Sequence, residues 1–521
     1  MTTSRNLLFI CLAALVLRLV LIAAVVRFPG IADPNHYYNV GARWAQGDGL
    51  TFDYVWMYNP PPASVTHPED HWMPLASLLA GVPMTLFGVQ PAAALIGFAL
   101  IGSLLPALAF WGARQLALRD DTALFAAAAT AVIPELVLNS VRTDTTIPFA
   151  FLICLCLLCL VRWTHHGKPF ALIVAGIAAG LAYLTRNDAL LIVPMGIAVA
   201  VFYALIGAHT PIKRRALIAA VVAPLIALIV VSPWLIRNLN TLGRLGSGET
   251  DDMFFFTHHN DHYAFDQTFT LATLLERQTP ADIIGKRAFE LAAAFDMMIG
   301  VLGDALAVGL AASVLLLVAL RRTERPRWAV IAPTLIILLG AVVAYAVFIP
   351  YKSQAGSTKK FFLALIPLLI PLAAYALERA ITDARIRAGA MILIVLLLGA
   401  NAIEFVRQDA NFVATYRGQI TAMSAIAREL PDVNGDGQLI FMTQDPFMLA
   451  YEGLSSVMYP YPDRASVDGV IDQYAIDYLL MPPDRPVLDP IYWRTVVDAR
   501  FTFVRDVPRT TYEFWRVEPA S

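Results

Sequence analysis

The run Leu7–Val26, LLFICLAALVLRLVLIAAVV, leads directly into RFPGIADPNHYYNVGARWAQGDGL at 27–50. That junction decides the fold class. An apolar run of about 20 residues is long enough to cross a hydrocarbon core, and an acid-led, aromatic segment emerges from its end. Arg5 and Arg27 bound the run. A cleaved leader has a shorter apolar core, so the run reads as a membrane anchor. Further apolar runs follow at 91–112, 122–139, 146–161, 169–185, 189–207, 216–236, 298–320, 328–349, 361–377 and 388–404. The expected fold is a polytopic α-helical membrane protein with about 11 transmembrane helices. The runs at 122–139 and 169–185 are short. Trp72–Phe87 is interrupted by Pro74, Gly81 and Pro83 and reads as a helix on or dipping into the membrane surface.

Composition agrees. Of 521 residues, 58% are hydrophobic and 15% charged, against about a quarter charged in soluble proteins. The 38 Lys+Arg barely differ from the 40 Asp+Glu, so no basic excess meets a nucleic acid. Cys11, Cys154, Cys156 and Cys159 lie inside apolar runs. They read as buried small hydrophobes, not as a disulfide framework.

Basic residues set the topology. Arg114 and Arg119, Arg162 and Lys168, Lys213 to Arg215, Arg321 to Arg327, and Arg379 to Arg387 fall in alternate short loops. The positive-inside rule places these loops and the N-terminus in the cytoplasm of an inner or plasma membrane. Arg27 is the exception. The segments 28–74, 140–145, 237–297, 350–360 and everything after 405 then lie outside. Residues 1–404 form the membrane part. Residues 405–521 read as a small extracytoplasmic α/β domain, with a helix at 413–430, strands at 438–444 and 478–482, a helix at 466–476, and closing strands at 500–506 and 512–517.

Ionisable groups at membrane edges mark function, and here they collect on the outer face. They comprise Asp33; His67, Glu69, Asp70 and His71; Arg142 and Asp144; Arg186 and Asp188; Arg237; His258, His259, Asp261 and His262; and Lys352, Lys359 and Lys360. Acids beside bases at span ends suit an anionic, lipid-linked substrate: cations hold a phosphate and a carboxylate accepts a proton. His67 and His71 share a helical spacing, but Pro68 and Pro74 favour an irregular turn. His258, Asp261 and His262 have ligand types suited to zinc or manganese, without HExxH. A polar loop is the other reading. The run Asp432-Val433-Asn434-Gly435-Asp436-Gly437 has the first half of a calcium loop, but position 12 is Thr443 in a strand-like run, so a turn is expected.

The layout over 6–404 resembles the GT-C membrane glycosyltransferases, which include protein O-mannosyltransferases and the lipid A aminoarabinose transferase. The resemblance rests on Asp33 followed by Tyr38, Ala42 and GDGL at 47–50, on Trp72-Met73-Pro74-Leu75, on GLAYLTRNDALLIVP at 180–194, and on Pro233-Trp234-Leu235-Ile236-Arg237-Asn238. It implies inverting transfer of a sugar from a polyprenyl-phosphate donor to an envelope lipid, glycan or protein, with no cofactor required and a divalent metal left open. On that reading Asp33 is the general base with Asp144 in support. Arg142, Arg186, Arg237, Lys359 and Lys360 hold the donor phosphate. Tyr37, His67, Glu69, Asp70, His71, His259 and His262 face the acceptor or support the site. Many relatives carry two adjacent acids where this chain has Asp33-Pro34, and Glu69 or Asp70 is the expected substitute. A transporter or flippase of lipid-linked saccharides, or an envelope polysaccharide polymerase or ligase, is the alternative.

Overall fold

The computed structural model describes residues 2–205, 209–248, 252–319, 325–349 and 356–518. Arg321, Arg322 and Lys352 lie outside them. The membrane part begins with α1 (Thr2–Ala24), α2 (Asp33–Gln46), the strands β1 (Thr51–Val55) and β2 (Thr66–Pro68), and α3 (Leu75–Phe87). It continues with α4 (Pro91–Gln115), α5 (Asp120–Val132), α6 (Pro134–Asn139), α7 (Thr146–His166), α8 (Pro169–Tyr183), α9 (Ile192–Leu205) and α10 (Thr210–Leu242). Then come α11 (Leu271–Arg277), α12 (Pro280–Ala319), α13 (Arg325–Phe348), α14 (Gly356–Ala380) and α15 (Ala384–Ala427). The remainder is β3 (Ile440–Thr443), α16 (Pro446–Tyr451), β4 (Ser455–Met458), α17 (Arg464–Tyr474), β5 (Tyr478–Met481), β6 (Phe501–Asp506) and β7 (Glu513–Val517).

Among the described residues each apolar run is helical over most of its length, but not every run is a full span. Among the described residues eight helices are long and apolar enough to cross a membrane, and a ninth is bent by 103° at Gly303 within α12. The run at 122–139 breaks at Ile133, because Pro134 has no N–H to continue α5. α8 has 15 residues, short of the length that spans. α3 is likewise a short apolar helix. The break after α5 leaves carbonyls without intrahelical partners. Arg18 of α1, fully buried, donates to Ala131 O at 3.1 Å and to Ala14 O at 3.0 Å. An arginine at membrane depth thus satisfies a broken helix that has no water to turn to.

α14 packs against α4, α5, α7, α12 and α13, and Phe361 to Leu372 are buried throughout. It places Lys360 at the end of the bundle. α8 lies against α10 through Gly176 and Gly180, where a Cβ would meet Ile226 Cβ at 2.6 Å and Val230 Cβ at 2.7 Å, the small-residue device of membrane helix pairs.

The 404/405 division falls inside a helix. α15 contains no proline, and no glycine falls between Gly399 and Gly418, so the helix runs through 404 and on to Ala427. The sheet also draws on the first loop. Its order is β2-β1-β4-β3-β5-β7-β6. β1 lies parallel to β4, with Val55 opposite Val457, and antiparallel to β2. Alternation alone does not reveal so distant a partner. The 432–437 stretch is a turn: Asp432 accepts from the amides of Gly435 at 2.7 Å and Gly437 at 2.8 Å, and Asp436 accepts from Gln438 at 2.8 Å. Asp432→Ala should therefore cost about 1 kcal/mol of stability by the usual worth of a hydrogen bond and leave turnover within a few-fold. A chelator should change neither, and calcium-dependent turnover would establish a calcium loop instead.

Candidate active site

α2 opens with Asp33-Pro34. Proline suits the first helical turn, where its missing N–H costs nothing. The preceding Ala32 has φ 56° and ψ −128°, a conformation that costs an L-residue about 1–3 kcal/mol. Asp33 thus enters its helix from a strained turn that other segments must hold. Thr143 does so with its hydroxyl on Pro34 O and its amide on Pro29 O at 3.3 Å. The loop carrying Asp33 is thereby tied to the turn carrying Asp144.

Lys360 joins the two acids. Its Nζ donates to Asp33 Oδ2 at 2.8 Å and to Asp144 Oδ2 at 2.7 Å. Asp144 is 2% exposed. Its other oxygen accepts from the Thr146 amide at 2.7 Å, so it also holds the start of α7. Arg186, between α8 and α9, pairs with Asp188 (Nε to Oδ2, 2.9 Å) and donates to Thr145 Oγ1 at 3.2 Å. Four segments distant in sequence converge at the bundle end that carries the sheet.

Burial and mutual repulsion alone would lift one of the two acids toward neutral pH. The structure reverses that direction. Burial does raise both, but the Lys360 ammonium outweighs it. Asp33 is held below its ordinary value and Asp144 falls to about 2. Both are carboxylates at neutral pH. Tyr37, on the same face of α2 as Asp33, is pushed well above its ordinary value by burial and then by Asp33 and Asp144. Its hydroxyl stays protonated.

Asp33, Tyr37, Arg186 and Asp188 border a cavity of about 340 Å³. Asp33, Tyr37, Trp72, Arg186 and Tyr345 line its polar end, and Leu191, Pro194, Phe348 and Ile349 its apolar end. An apolar groove of about 370 Å³ between α7, α8, α9, α10 and α13 shares Leu190 with it and extends to Thr164, Tyr203 and Ala216.

The remaining candidates are placed elsewhere. Arg142 is committed to Asp409 of α15, and Lys359 to Glu135 at 2.9 Å. Arg237 stacks on Trp234 with 4.7 Å to the ring and donates to Glu69 O and, at 3.0 Å, to Asn238 Oδ1. Glu69 is buried on His36 Nε2 at 2.8 Å and accepts from the Trp72 amide at 2.7 Å. Burial raises Glu69, yet His36 outweighs that and holds it below its ordinary value. His67 faces Asp70 at 3.7 Å, and the two line a small polar pocket with His36, His71 and Arg244. His258 and Asp261 form a capping box, His259 contacts Tyr263 at 3.4 Å, and His262 packs its ring on Phe256. Among the described residues no group of three or more His, Cys, Asp or Glu is arranged to hold a metal. His36, Tyr345 and Thr145 were not foreseen. His36 had a signal, since it follows Asp33 by one helical turn.

The profile of the dolichyl-phosphate-mannose-protein mannosyltransferase family matches residues 66–236. Sequence comparison with curated proteins finds no match. Among solved structures, apo ArnT from Cupriavidus metallidurans superposes with a TM-score of 0.61 at 14% identity, covering 99% of this chain and 98% of that one. The chain has the GT-C fold. ArnT bound to undecaprenyl phosphate gives 0.59 at 14% identity, with 99% and 98% covered. The oligosaccharyltransferase of Archaeoglobus fulgidus gives 0.57 at 15% identity, with 97% of this chain and 72% of that one covered. With this GT-C fold and its long apolar helices, the chain is a multi-pass membrane protein.

Proposed function

We propose that the chain is an inverting glycosyltransferase that moves a sugar from a polyprenyl-phosphate donor to a cell-envelope lipid, glycan or protein. The observation that carries this reading is one amphipathic cavity, lined by Arg186 and by Asp33 with Lys360 bonded to it, that adjoins an apolar groove. The groove suits a prenyl chain and the cations suit its phosphate. The undecaprenyl phosphate seen in a structure of the same fold supports the donor class. The reaction lies on the outer face of the plasma membrane, with the N-terminus in the cytoplasm and the C-terminus outside. A carrier too apolar to leave the bilayer requires an enzyme that stays in it.

In this mechanism the acceptor hydroxyl oxygen attacks the anomeric carbon on the face opposite the phosphate. The carbon–oxygen bond to phosphate breaks, and its electron pair leaves with the phosphate toward Arg186 and Lys360. The hydroxyl proton goes to Asp33. Phosphate is a competent leaving group, so one base and a cationic clamp suffice, unlike the two-carboxylate geometry of soluble glycosidases. In the free enzyme Lys360 is held by both acids. A donor phosphate that draws it away also releases Asp33 to accept a proton. Lys360 therefore serves both the phosphate and the base.

Donor binding checks the reading. Undecaprenyl phosphate should raise the melting temperature of the detergent-purified protein, because a ligand that binds only the folded state stabilises it. Leu190→Trp, placed where cavity and groove meet, should remove the shift. A nucleotide sugar should give none. A shift from the nucleotide sugar alone would count against a lipid-linked donor.

A further inference from the structure

Arg417 lies on α15, 13 residues past the end of its apolar run at 404 (417 − 404), or about 20 Å further along the axis. It is 1% exposed. Its guanidinium lies 3.6 Å from the Tyr451 ring centroid on α16 and 5.5 Å from that of Phe28. One nitrogen donates to Asn35 Oδ1. Among the described residues Nε and Nη1 have no hydrogen-bond partner, and the nearest carboxylate, Glu452, is 4.0 Å away. Replacing a buried charge by an apolar side chain of similar volume is often neutral or stabilising, so stability does not account for this one. What it supplies is direction.

Its target is the first turn of α2. Asn35 is fully buried, follows Asp33 by two residues, and donates from Nδ2 to Phe447 O of α16. Asn39, one turn on, donates to the same carbonyl at 2.8 Å. Tyr38 packs its ring on Tyr451 at 5.2 Å. The turn that begins at strained Ala32 is thus gripped from the sheet side by α15 and α16, while Lys360 grips Asp33 from the membrane side.

We propose that Arg417 is a positioning residue: through Asn35 it fixes the first turn of α2, so that the seating of the outer domain on α15 sets where Asp33 points. This rests on the reading of Asp33 as the base. It gives the outer domain a part in turnover without placing any of its residues in the cavity.

The test compares Arg417→Met, Arg417→Lys and Asn35→Ala in full-length protein reconstituted in lipid nanodiscs. Turnover is counted per folded molecule, and the undecaprenyl phosphate melting shift is recorded for each. Arg417→Met and Asn35→Ala should lower kcat 10-fold or more with donor KM and donor-induced shift unchanged. Lysine, which keeps a donor toward Asn35, should recover part of the loss. In an Asp33→Asn background Arg417→Met should cost nothing more, since the group it positions is gone. Asn35→Ala keeps the test available if Arg417→Met does not fold. Wild-type kcat in either variant, with Asp33→Asn inactive, would overturn the positioning role. An active Asp33→Asn enzyme would instead overturn the base assignment, and an additive loss in the double variant would reduce Arg417 to a general structural role.

Discussion

Asp33→Asn is expected to bind donor normally and to lose sugar transfer by roughly 100-fold or more, the usual worth of a general base. The substitution keeps the shape and a hydrogen bond for Lys360 while removing the charge. Asp33 is the acid that both borders the cavity and contacts Lys360, whereas Asp144 contacts Lys360 from behind and is hidden from solvent. Asp144→Asn should therefore act through Lys360, with a smaller loss and weaker donor binding. Steady-state transfer together with the donor-induced melting shift separates the two. Near-normal transfer by folded Asp33→Asn would move the base elsewhere in the cavity.

Lys360→Met should have the next largest effect, and the pH profile should report it. In the native protein the ammonium holds Asp33 below its ordinary value and Asp144 at about 2. The base is therefore lost only as pH falls below the normal carboxylate range, and no inflection from this pair appears between pH 5 and 8. The pair's contribution to stability has the same sign: it is complete above the unfolded carboxylate value and is lost as pH falls through the lower folded values. Without the ammonium, burial and mutual repulsion act unopposed and both carboxyls rise. The acid limb of kcat/KM, which reports the free enzyme, should then move toward neutral pH, with reduced turnover at pH 7, and Lys360→Arg should keep the native profile. A Lys360→Met enzyme with the native acid limb would show that Lys360 does not set the acids.

The helices could be read from the sequence because their signal is local: apolar length and basic loops reveal membrane helices without tertiary information. The convergence of Asp33, Asp144, Arg186 and Lys360 was foreseen as a cluster on one face, because all four lie at span ends on the same side. Their pairing was not, since Lys360 and Asp33 are 327 residues apart in the chain. The sign of the pKa shifts followed from that missing pairing: two acids alone repel, and two acids around one ammonium do not. Arg142 illustrates the opposite error. It stands two residues from Asp144 but points to Asp409 on α15, and α15 reaches that far only because nothing breaks it at 404. β1 was hidden for a similar reason, its partner β4 lying some four hundred residues away in the chain.

The central claim is the donor class, and product analysis tests it most directly. Purified protein in lipid nanodiscs would be given a panel of polyprenyl-phosphate sugars, each with an envelope extract as acceptor source, and nucleotide sugars in parallel. Polyprenyl phosphate release and the anomeric configuration of the product would be followed by mass spectrometry and NMR. The account predicts that a lipid-linked sugar is consumed, that its carrier returns as polyprenyl phosphate, and that the product has the opposite anomeric configuration. Consumption of a nucleotide sugar with every lipid-linked donor left intact, or transfer with retained configuration, would contradict it.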